Sequence, residues 1–147
     1  NSFLRITDRK KEMFKTSGGK YIAPQLMENK FKESRFIEQI MVIGESQKHP
    51  AALVVPAFEF MMVWCKRKGY GCSSNAEMIE NPKVIARIQE DIDEYNKGFG
   101  SWEQIKKFEL IDHVWGIDTG ELTPTLKLKR KQIKAKYQHL IDKIYGN

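Results

Sequence analysis

The chain has 147 residues, of which 41% are hydrophobic and 30% charged, and it carries a net charge of +6. This composition is that of one globular domain and excludes a disordered or collagen-like chain. No apolar run approaches the ~18 residues of a membrane-spanning helix, and the spacing of Cys65 and Cys72 fits neither a zinc site nor a disulfide scaffold, which predicts two reduced thiols.

The positive charge is concentrated at the two ends of the chain. Residues 1–35 carry nine Lys and Arg against four Asp and Glu, residues 121–147 carry seven against two, and the stretch between them is net acidic. If the fold brings the ends together, they form an anion-attracting surface. Nucleic acid and phosphorylated small molecules are both candidate partners for such a surface, and a solvated basic face without a ligand is the open alternative.

In chain order, the first predicted elements are two short strands over residues 3–9 and 13–16, followed by a flexible Ser-Gly-Gly-Lys loop at residues 17–20. Pro24 suits the first turn of a helix that runs to about Ser34. The residues expected on the buried side of this helix are Leu26, Met27 and Phe31.

The middle of the chain predicts an antiparallel hairpin of residues 37–44 and 51–55, then an amphipathic helix over 58–68. A capping box from Ser74 to Glu77 predicts a short helix, and Asn81 followed by Pro82 predicts the start of the next one. The apolar residues at helical spacing there are Val84, Ile85, Ile88, Ile92 and Tyr95. The acidic residues expected to face water are Glu90, Asp91, Asp93 and Glu94.

Toward the C-terminus, residues 105–111 predict a third central strand and residues 112–123 a loop. A terminal helix is marked by Ile133, Tyr137, Leu140, Ile141 and Ile144. The whole order predicts an α+β domain, with a short antiparallel hairpin at the N-terminus and a small central mixed sheet of about three strands flanked by helices.

Two segments could carry chemistry. In the Ser17–Lys20 loop, glycines let the backbone approach a ligand, and its N–H groups could hold phosphate or pantetheine amide oxygens, although a plain turn between strands is the alternative. In the second segment, Thr-Pro-Thr presents Lys127 just before a helix, where its charge could offset that of a transferring phosphate, or could simply be solvated.

The remaining candidates predict no catalytic or metal site. The histidines His49, His113 and His139 have no partner at metal or triad spacing and are expected at the surface. The tryptophans Trp64, Trp102 and Trp115 are expected to be core or edge anchors rather than base-stacking platforms.

Together, the two segments resemble the adenylate-forming enzymes, the superfamily of acyl-CoA synthetases, luciferases and peptide-synthetase adenylation domains. Residues 7–25, with Thr-Asp-Arg-Lys-Lys-Glu, Ser-Gly-Gly-Lys and Ala-Pro-Gln, resemble the hinge motif, and residues 122–130, Leu-Thr-Pro-Thr-Leu-Lys-Leu-Lys-Arg, resemble the C-terminal catalytic-lysine motif. Residues 81–108 are similar to the long-chain fatty-acid subgroup. The resemblance covers essentially the whole chain.

The resemblance implies that residues 1–147 are the small mobile C-terminal domain of an ATP-dependent, AMP-forming fatty acid–CoA ligase. The acyl pocket and most contacts to ATP and Mg²⁺ would then belong to a large N-terminal domain preceding Asn1, and CoA would be the co-substrate. The expected partner is that domain, with no nucleic acid and no transmembrane segment. The isolated domain is expected to be inactive and the enzyme cytoplasmic, with peripheral membrane attachment left open.

The site residues that the resemblance implies fall in both segments. Arg9 would hold the nucleotide near its ribose and phosphates, and Lys11 would be the hinge. The loop that moves in for thioester formation would be Ser17, Gly18, Gly19 and Lys20. Lys127 would contact the acyl carboxylate and the α-phosphate during adenylation.

The sequence departs from the common family pattern at two positions, because Asp8 and Leu126 stand where many members have glycine. The second departure leaves Lys129 as an alternative to Lys127. Two other functions also remain open. One is a small basic binding module for nucleic acid or an acidic partner, and the other is a synthetase of the same superfamily for a medium-chain or aryl carboxylic acid.

Overall fold

The computed structural model describes residues 13–146, so the predicted strand at 3–9, the nucleotide residue Arg9 and the hinge residue Lys11 lie outside the described part. The first element is a short antiparallel hairpin of β1 (Phe14–Lys15) and β2 (Tyr21–Ile22), joined by the Ser-Gly-Gly-Lys loop. Helix α1 (Pro24–Phe31) follows with proline in its first turn, as predicted, and ends three residues earlier than expected.

The central sheet has three strands: β3 (Ile37–Ile43), β4 (Ala51–Pro56) and β5 (Lys107–Leu110). β4 lies in the middle, antiparallel to β3 and parallel to β5. All six residues of β4 are buried, as expected for a strand with neighbours on both sides and helices over it. The α+β prediction, with its N-terminal hairpin and mixed sheet, is confirmed.

The parallel step from β4 to β5 needs a long crossover, which contains α2 (Phe58–Lys68), α3 (Asn75–Glu80) and α4 (Pro82–Asn96). Both predicted caps are present: the Ser74 hydroxyl accepts the Glu77 N–H at 3.2 Å, and the Asn81 side chain accepts the Lys83 N–H at 2.8 Å.

The terminal helix is two helices, α5 (Arg130–Lys136) and α6 (Gln138–Tyr145), so the prediction of one helix is wrong. The break falls at Tyr137, whose φ of −111° and ψ of 24° are not helical. Its buried ring carries a hydroxyl that accepts the indole N–H of Trp115 at 3.2 Å. This hydrogen bond to a distant loop accompanies the break. The spacing of apolar residues along the helix could not have predicted it.

Three side chains differ from their predicted burial. Leu26 is 67% exposed and Ile85 37% exposed. Asp91 does not face open water: its carboxylate accepts the Ser34 hydroxyl and, at 2.9 Å, the Arg87 guanidinium. α1 packs on both β3 and α4, so the face of α4 next to the end of α1 is partly covered.

The two cysteines are reduced, as predicted, and both are buried. The Cys65 thiol donates to the Cys72 sulfur at 3.1 Å, and burial followed by this hydrogen bond raises the pKa of Cys65 to about 12. None of the helices in residues 13–146 has the length and hydropathy needed to cross a membrane.

Candidate functional site

The Ser-Gly-Gly-Lys loop is part of a tight turn over residues 16–20, the first turn. The Thr16 N–H donates to the Lys20 carbonyl at 2.9 Å, and the Gly19 N–H donates to the Thr16 carbonyl at 3.0 Å. Gly19 has a φ of +83°, so the turn is a three-residue hairpin loop whose last residue is left-handed. The Thr16 hydroxyl also accepts the Lys20 N–H at 3.3 Å.

The first turn is anchored from outside. The Ser17 N–H donates to the Gln47 carbonyl at 2.9 Å, which ties the turn to the loop between β3 and β4. The Lys20 ammonium lies 5.6 Å from the centre of the Trp102 ring, a cation–π contact. Trp102 folds back over Gly100, where a Cβ would approach its ring to 2.6 Å. Gly100 is therefore needed for the aromatic surface against which Lys20 rests.

Lys127 closes a second turn, over residues 123–127. The Thr123 N–H donates to the Lys127 carbonyl at 2.8 Å, the Leu126 N–H donates to the Thr123 carbonyl at 2.8 Å, and the Lys127 N–H reaches the Thr123 hydroxyl at 3.1 Å. Leu126 has a φ of +66°. The expected loop before a helix is therefore a hairpin, closed by a bridge between Leu122 and Leu128.

The Lys127 side chain is exposed, and its ammonium has no hydrogen-bond or ion-pair partner within residues 13–146. It lies at a groove of about 350 Å³ between α1 and the second turn. Other groove-lining side chains are Gln25, Lys32, Glu38, Leu126 and Leu128. The backbone of the second turn thus sets the point from which the flexible Lys127 side chain extends.

Glu121 anchors the base of the second turn. Its carbonyl accepts the Lys129 N–H at 2.8 Å, and its buried carboxylate accepts from Lys136, Thr119 and, at 3.1 Å, the Gly116 N–H. Burial by itself would raise the pKa of Glu121, but hydrogen bonds, that from Lys136 the strongest, lower it to about 2. The same contact raises the pKa of Lys136.

His113 lies at the surface, as predicted, with 37% of its side chain exposed, but both of its ring nitrogens have partners. Its Nε2 lies 3.3 Å from Glu121 and 3.1 Å from the Tyr137 hydroxyl, and its Nδ1 lies 3.1 Å from Asp112. The loop over residues 112–123 is therefore fastened by a polar cluster to Lys136 and Tyr137, at the end of α5.

A second ion pair lies at the other side of the second turn, between Glu28 of α1 and Arg130, the first residue of α5. Sequence reasoning missed this pair and Glu121, because their partners are distant in the chain or unremarkable in type. Residues 13–146 contain no group of three or more His, Cys, Asp and Glu side chains that could hold a metal ion.

Comparison with known proteins gives one family and many relatives. Residues 12–147 match the family described as AMP-binding enzyme C-terminal domain. Over 99% of its length, the chain is 38% identical to long-chain-fatty-acid–CoA ligase 1 of Homo sapiens and 34% identical to a long-chain-fatty-acid–CoA ligase of Mycobacterium tuberculosis. The chain spans only 21% and 24% of the length of these two relatives.

Solved structures show the same fold. The adenylation domain of a carboxylate reductase from Mycobacterium chelonae superposes with a TM-score of 0.77 at 23% identity, covering 95% of this chain and 20% of that one. The corresponding domain from Segniliparus rugosus, in complex with AMP and a co-purified carboxylic acid, gives 0.75 at 23% identity, covering 94% and 20%. At this identity the likeness concerns the fold alone.

Proposed function

The chain belongs to the family of AMP-binding enzyme C-terminal domains, and from that premise we propose that it is the C-terminal lid of an ATP-dependent, AMP-forming fatty acid–CoA ligase. Two of its relatives are named long-chain-fatty-acid–CoA ligases and are much longer than this chain. We therefore assign residues 1–147 as a mobile domain whose partner is a larger N-terminal domain with the acyl pocket.

The proposed reaction has two steps. In the first, the fatty acid carboxylate attacks the α-phosphate of ATP, which forms acyl-AMP and releases pyrophosphate. In the second, the CoA thiol attacks the acyl carbonyl, the proton of the thiol is lost, and AMP leaves as acyl-CoA forms. Negative charge develops on phosphoryl oxygens in the first step, where a fixed cation has its greatest effect in a water-poor cleft.

Lys127 is the proposed cation for adenylation. The observation that carries this assignment is its exposed ammonium, which has no partner in the described part of the chain although the hairpin beneath it is anchored on both sides. A lysine held out on a firm hairpin beside a groove is suited to a site completed by another domain.

The first turn is the proposed thioester element. Gly18 and Gly19 carry no side chain, so the backbone of the turn can lie against the pantetheine arm of CoA. Rotation about Lys11 would withdraw Lys127 after adenylation and bring the first turn to the same site, while Arg9 would hold the nucleotide. The roles of Lys11 and Arg9 rest on the motif in the sequence.

The other partners follow from the same proposal. In this proposal ATP and its Mg²⁺ bind mainly to the N-terminal domain. The isolated domain has no turnover because it lacks the acyl pocket. The enzyme acts in the cytoplasm, and its attachment to the membrane surface would depend on the N-terminal domain.

The alternative of a basic binding module is less well supported. Four of the seven basic side chains in residues 121–147 pair with acidic ones. These pairs lower the positive potential that a nucleic-acid surface needs. The choice between long-chain, medium-chain and aryl acids belongs to the acyl pocket, and the names of the relatives favour long-chain acids.

The test uses the intact ligase that contains this chain, with Lys127→Ala and, as a matched control, Lys129→Ala. One assay follows pyrophosphate release from palmitate and ATP, and the other follows thioester formation from preformed palmitoyl-AMP and CoA. Lys127→Ala should slow the first by about 10²–10³-fold and leave the second nearly intact. Equal loss of both would contradict a role confined to adenylation, and loss only with Lys129→Ala would move the assignment to Lys129.

A further inference from the structure

Glu28 and Arg130 form a two-pronged ion pair over a separation of 102 residues. Arg130 donates from Nη1 to Oε2 at 2.8 Å and from Nη2 to Oε1 at 2.7 Å. Glu28 is 4% exposed, and the side chain of Arg130 is 27% exposed. A bidentate pair fixes orientation as well as distance, because both guanidinium N–H groups must stay in the plane of the carboxylate.

Glu28 is itself fixed to the sheet. The same Oε2 accepts the backbone N–H of Val42 at 2.7 Å. Val42 belongs to β3, which is an edge strand of the three-stranded sheet. The carboxylate therefore satisfies an N–H on the outer edge of the sheet and holds Arg130 at a defined place relative to it.

Arg130 needs such a partner because of where it lies. It is the first residue of α5, a helix with no acidic residue in its first turn and no side-chain cap at Lys129. The N-terminus of a helix is electropositive, so a bare cation there is unfavourable. Glu28, supplied by another helix, compensates for the guanidinium charge at this position.

Lys127 stands three residues before Arg130. The base of its hairpin is held on one side by Glu121 and on the other by Arg130. These two anchors fix the backbone from which the Lys127 side chain extends, and with it the region that the ammonium can reach.

We propose that Glu28 and Arg130 are positioning residues for Lys127, holding the second turn against the edge of the sheet so that the ammonium meets the α-phosphate. This inference rests on the proposed function of Lys127. The pair touches no reacting atom, and its effect on chemistry passes through the hairpin. A displacement of about 1 Å at a reacting group is enough for a loss of about 10²-fold.

The experiment compares Arg130→Met, Glu28→Gln and Arg130→Lys in the intact ligase. Arg130→Met and Glu28→Gln should each lower kcat of pyrophosphate release by about 10–100-fold with little change in KM for ATP. Thioester formation from preformed acyl-AMP should stay within about twofold, because it does not use Lys127. Arg130→Lys keeps the charge but loses the bidentate geometry, so it should restore only part of the rate.

The control is Arg87→Met, which breaks an ion pair with Asp91 on α4, away from the second turn. The Arg87 side chain is also 27% exposed and its pair spans 2.9 Å, so the control removes an ion-paired arginine of the same exposure. Arg87→Met should leave both half-reactions unchanged per folded molecule. If it slows pyrophosphate release as much as Arg130→Met, the positioning role is overturned.

A double-mutant cycle separates this inference from the proposed function. If Arg130 acts through Lys127, Arg130→Met should have no further effect on pyrophosphate release in the Lys127→Ala background. Full additivity would overturn the positioning role while leaving Lys127 as the adenylation lysine. If Lys127→Ala alone had no effect, the proposed function of Lys127 would fail first. Equal loss of both half-reactions in Arg130→Met would indicate a merely structural pair.

Discussion

The two lysine turns share one backbone geometry. The first turn is Thr-Ser-Gly-Gly-Lys at residues 16–20, and the second turn is Thr-Pro-Thr-Leu-Lys at residues 123–127. Each begins with a threonine whose hydroxyl accepts the N–H of the closing lysine, and each has a left-handed residue before that lysine. The left-handed residue is Gly19 in the first turn and Leu126 in the second. The lysines also differ, because Lys20 rests on Trp102 whereas Lys127 has no such support in the described chain. One turn geometry thus holds one lysine in place and presents the other.

The two turns are also anchored differently, so we expect low pH to weaken the anchoring of the second turn more than that of the first. The second turn is anchored by two buried carboxylates, those of Glu28 and Glu121, and the pKa of Glu121 is about 2 against an ordinary value of 4.5. The first turn is held by backbone hydrogen bonds and by the contact of Lys20 with Trp102. A depressed pKa stabilises the fold above 4.5, and this contribution is lost as pH falls from 4.5 toward 2. We expect up to about 3 kcal/mol to be lost over this window. Urea unfolding of the chain between pH 7 and pH 2.5 measures it.

Glu121→Gln is the control for the acid experiment. The variant should start less stable at neutral pH and show a shallower decline over the same window, because the amide does not titrate. A decline as steep as that of the unmodified chain would assign the acid sensitivity to other carboxylates and remove this difference between the turns.

Replacing Lys20 by methionine tests whether the two turns act in different steps of the reaction. Lys20→Met should slow thioester formation in the intact ligase by about tenfold, the effect of losing one charged contact, and leave pyrophosphate release unchanged. Lys15→Met is the matched control, since it removes a nearby charge on β1 outside the turn. If Lys20→Met slowed pyrophosphate release alone, the first turn would act in adenylation and not in thioester formation, contrary to the proposal.

The smallest expected effect concerns the left-handed residue. Leu126 is 67% exposed, so its side chain contributes little burial, while its left-handed φ costs about 1–2 kcal/mol. Leu126→Gly should raise the free energy of unfolding by about 0.5–1 kcal/mol, after the added flexibility of the unfolded chain is subtracted. Gly19→Ala should lower it by about 1 kcal/mol.

Leu126→Ala isolates the backbone effect in the same urea experiment. It shortens the side chain without relieving φ, so it should give no gain in stability. If Leu126→Ala stabilised the chain as much as Leu126→Gly, the exposed leucine side chain rather than the backbone would be the source of the difference between the turns.

The sequence predicts the local parts of this molecule well. Pro24, Ser74 and Asn81 mark helix starts through contacts within a few residues, and the motifs locate both lysine turns. The prediction fails where tertiary contacts decide. Tyr137 interrupts the terminal helix while its hydroxyl binds a distant loop, and Asp91 turns from water to Ser34.

The support of the candidate site is equally hard to predict, since no local pattern joins Glu28 to Arg130. Nor does any pattern place Lys20 against Trp102, 82 residues away. The roles of Lys127 and of Ser17–Lys20 remain predictions, as do those of Arg9 and Lys11 outside the described residues.

The Cys65–Cys72 pair has a practical consequence for testing the proposed movement of this domain. Both sulfurs are buried, and the pKa of Cys65 is about 12, so its thiolate is scarce at neutral pH and reacts slowly with maleimides. These are the only cysteines of the chain. A single cysteine introduced at an exposed position such as Lys131 would therefore take a fluorophore selectively within this domain, and energy transfer to a second dye would test in real time whether the domain rotates as proposed.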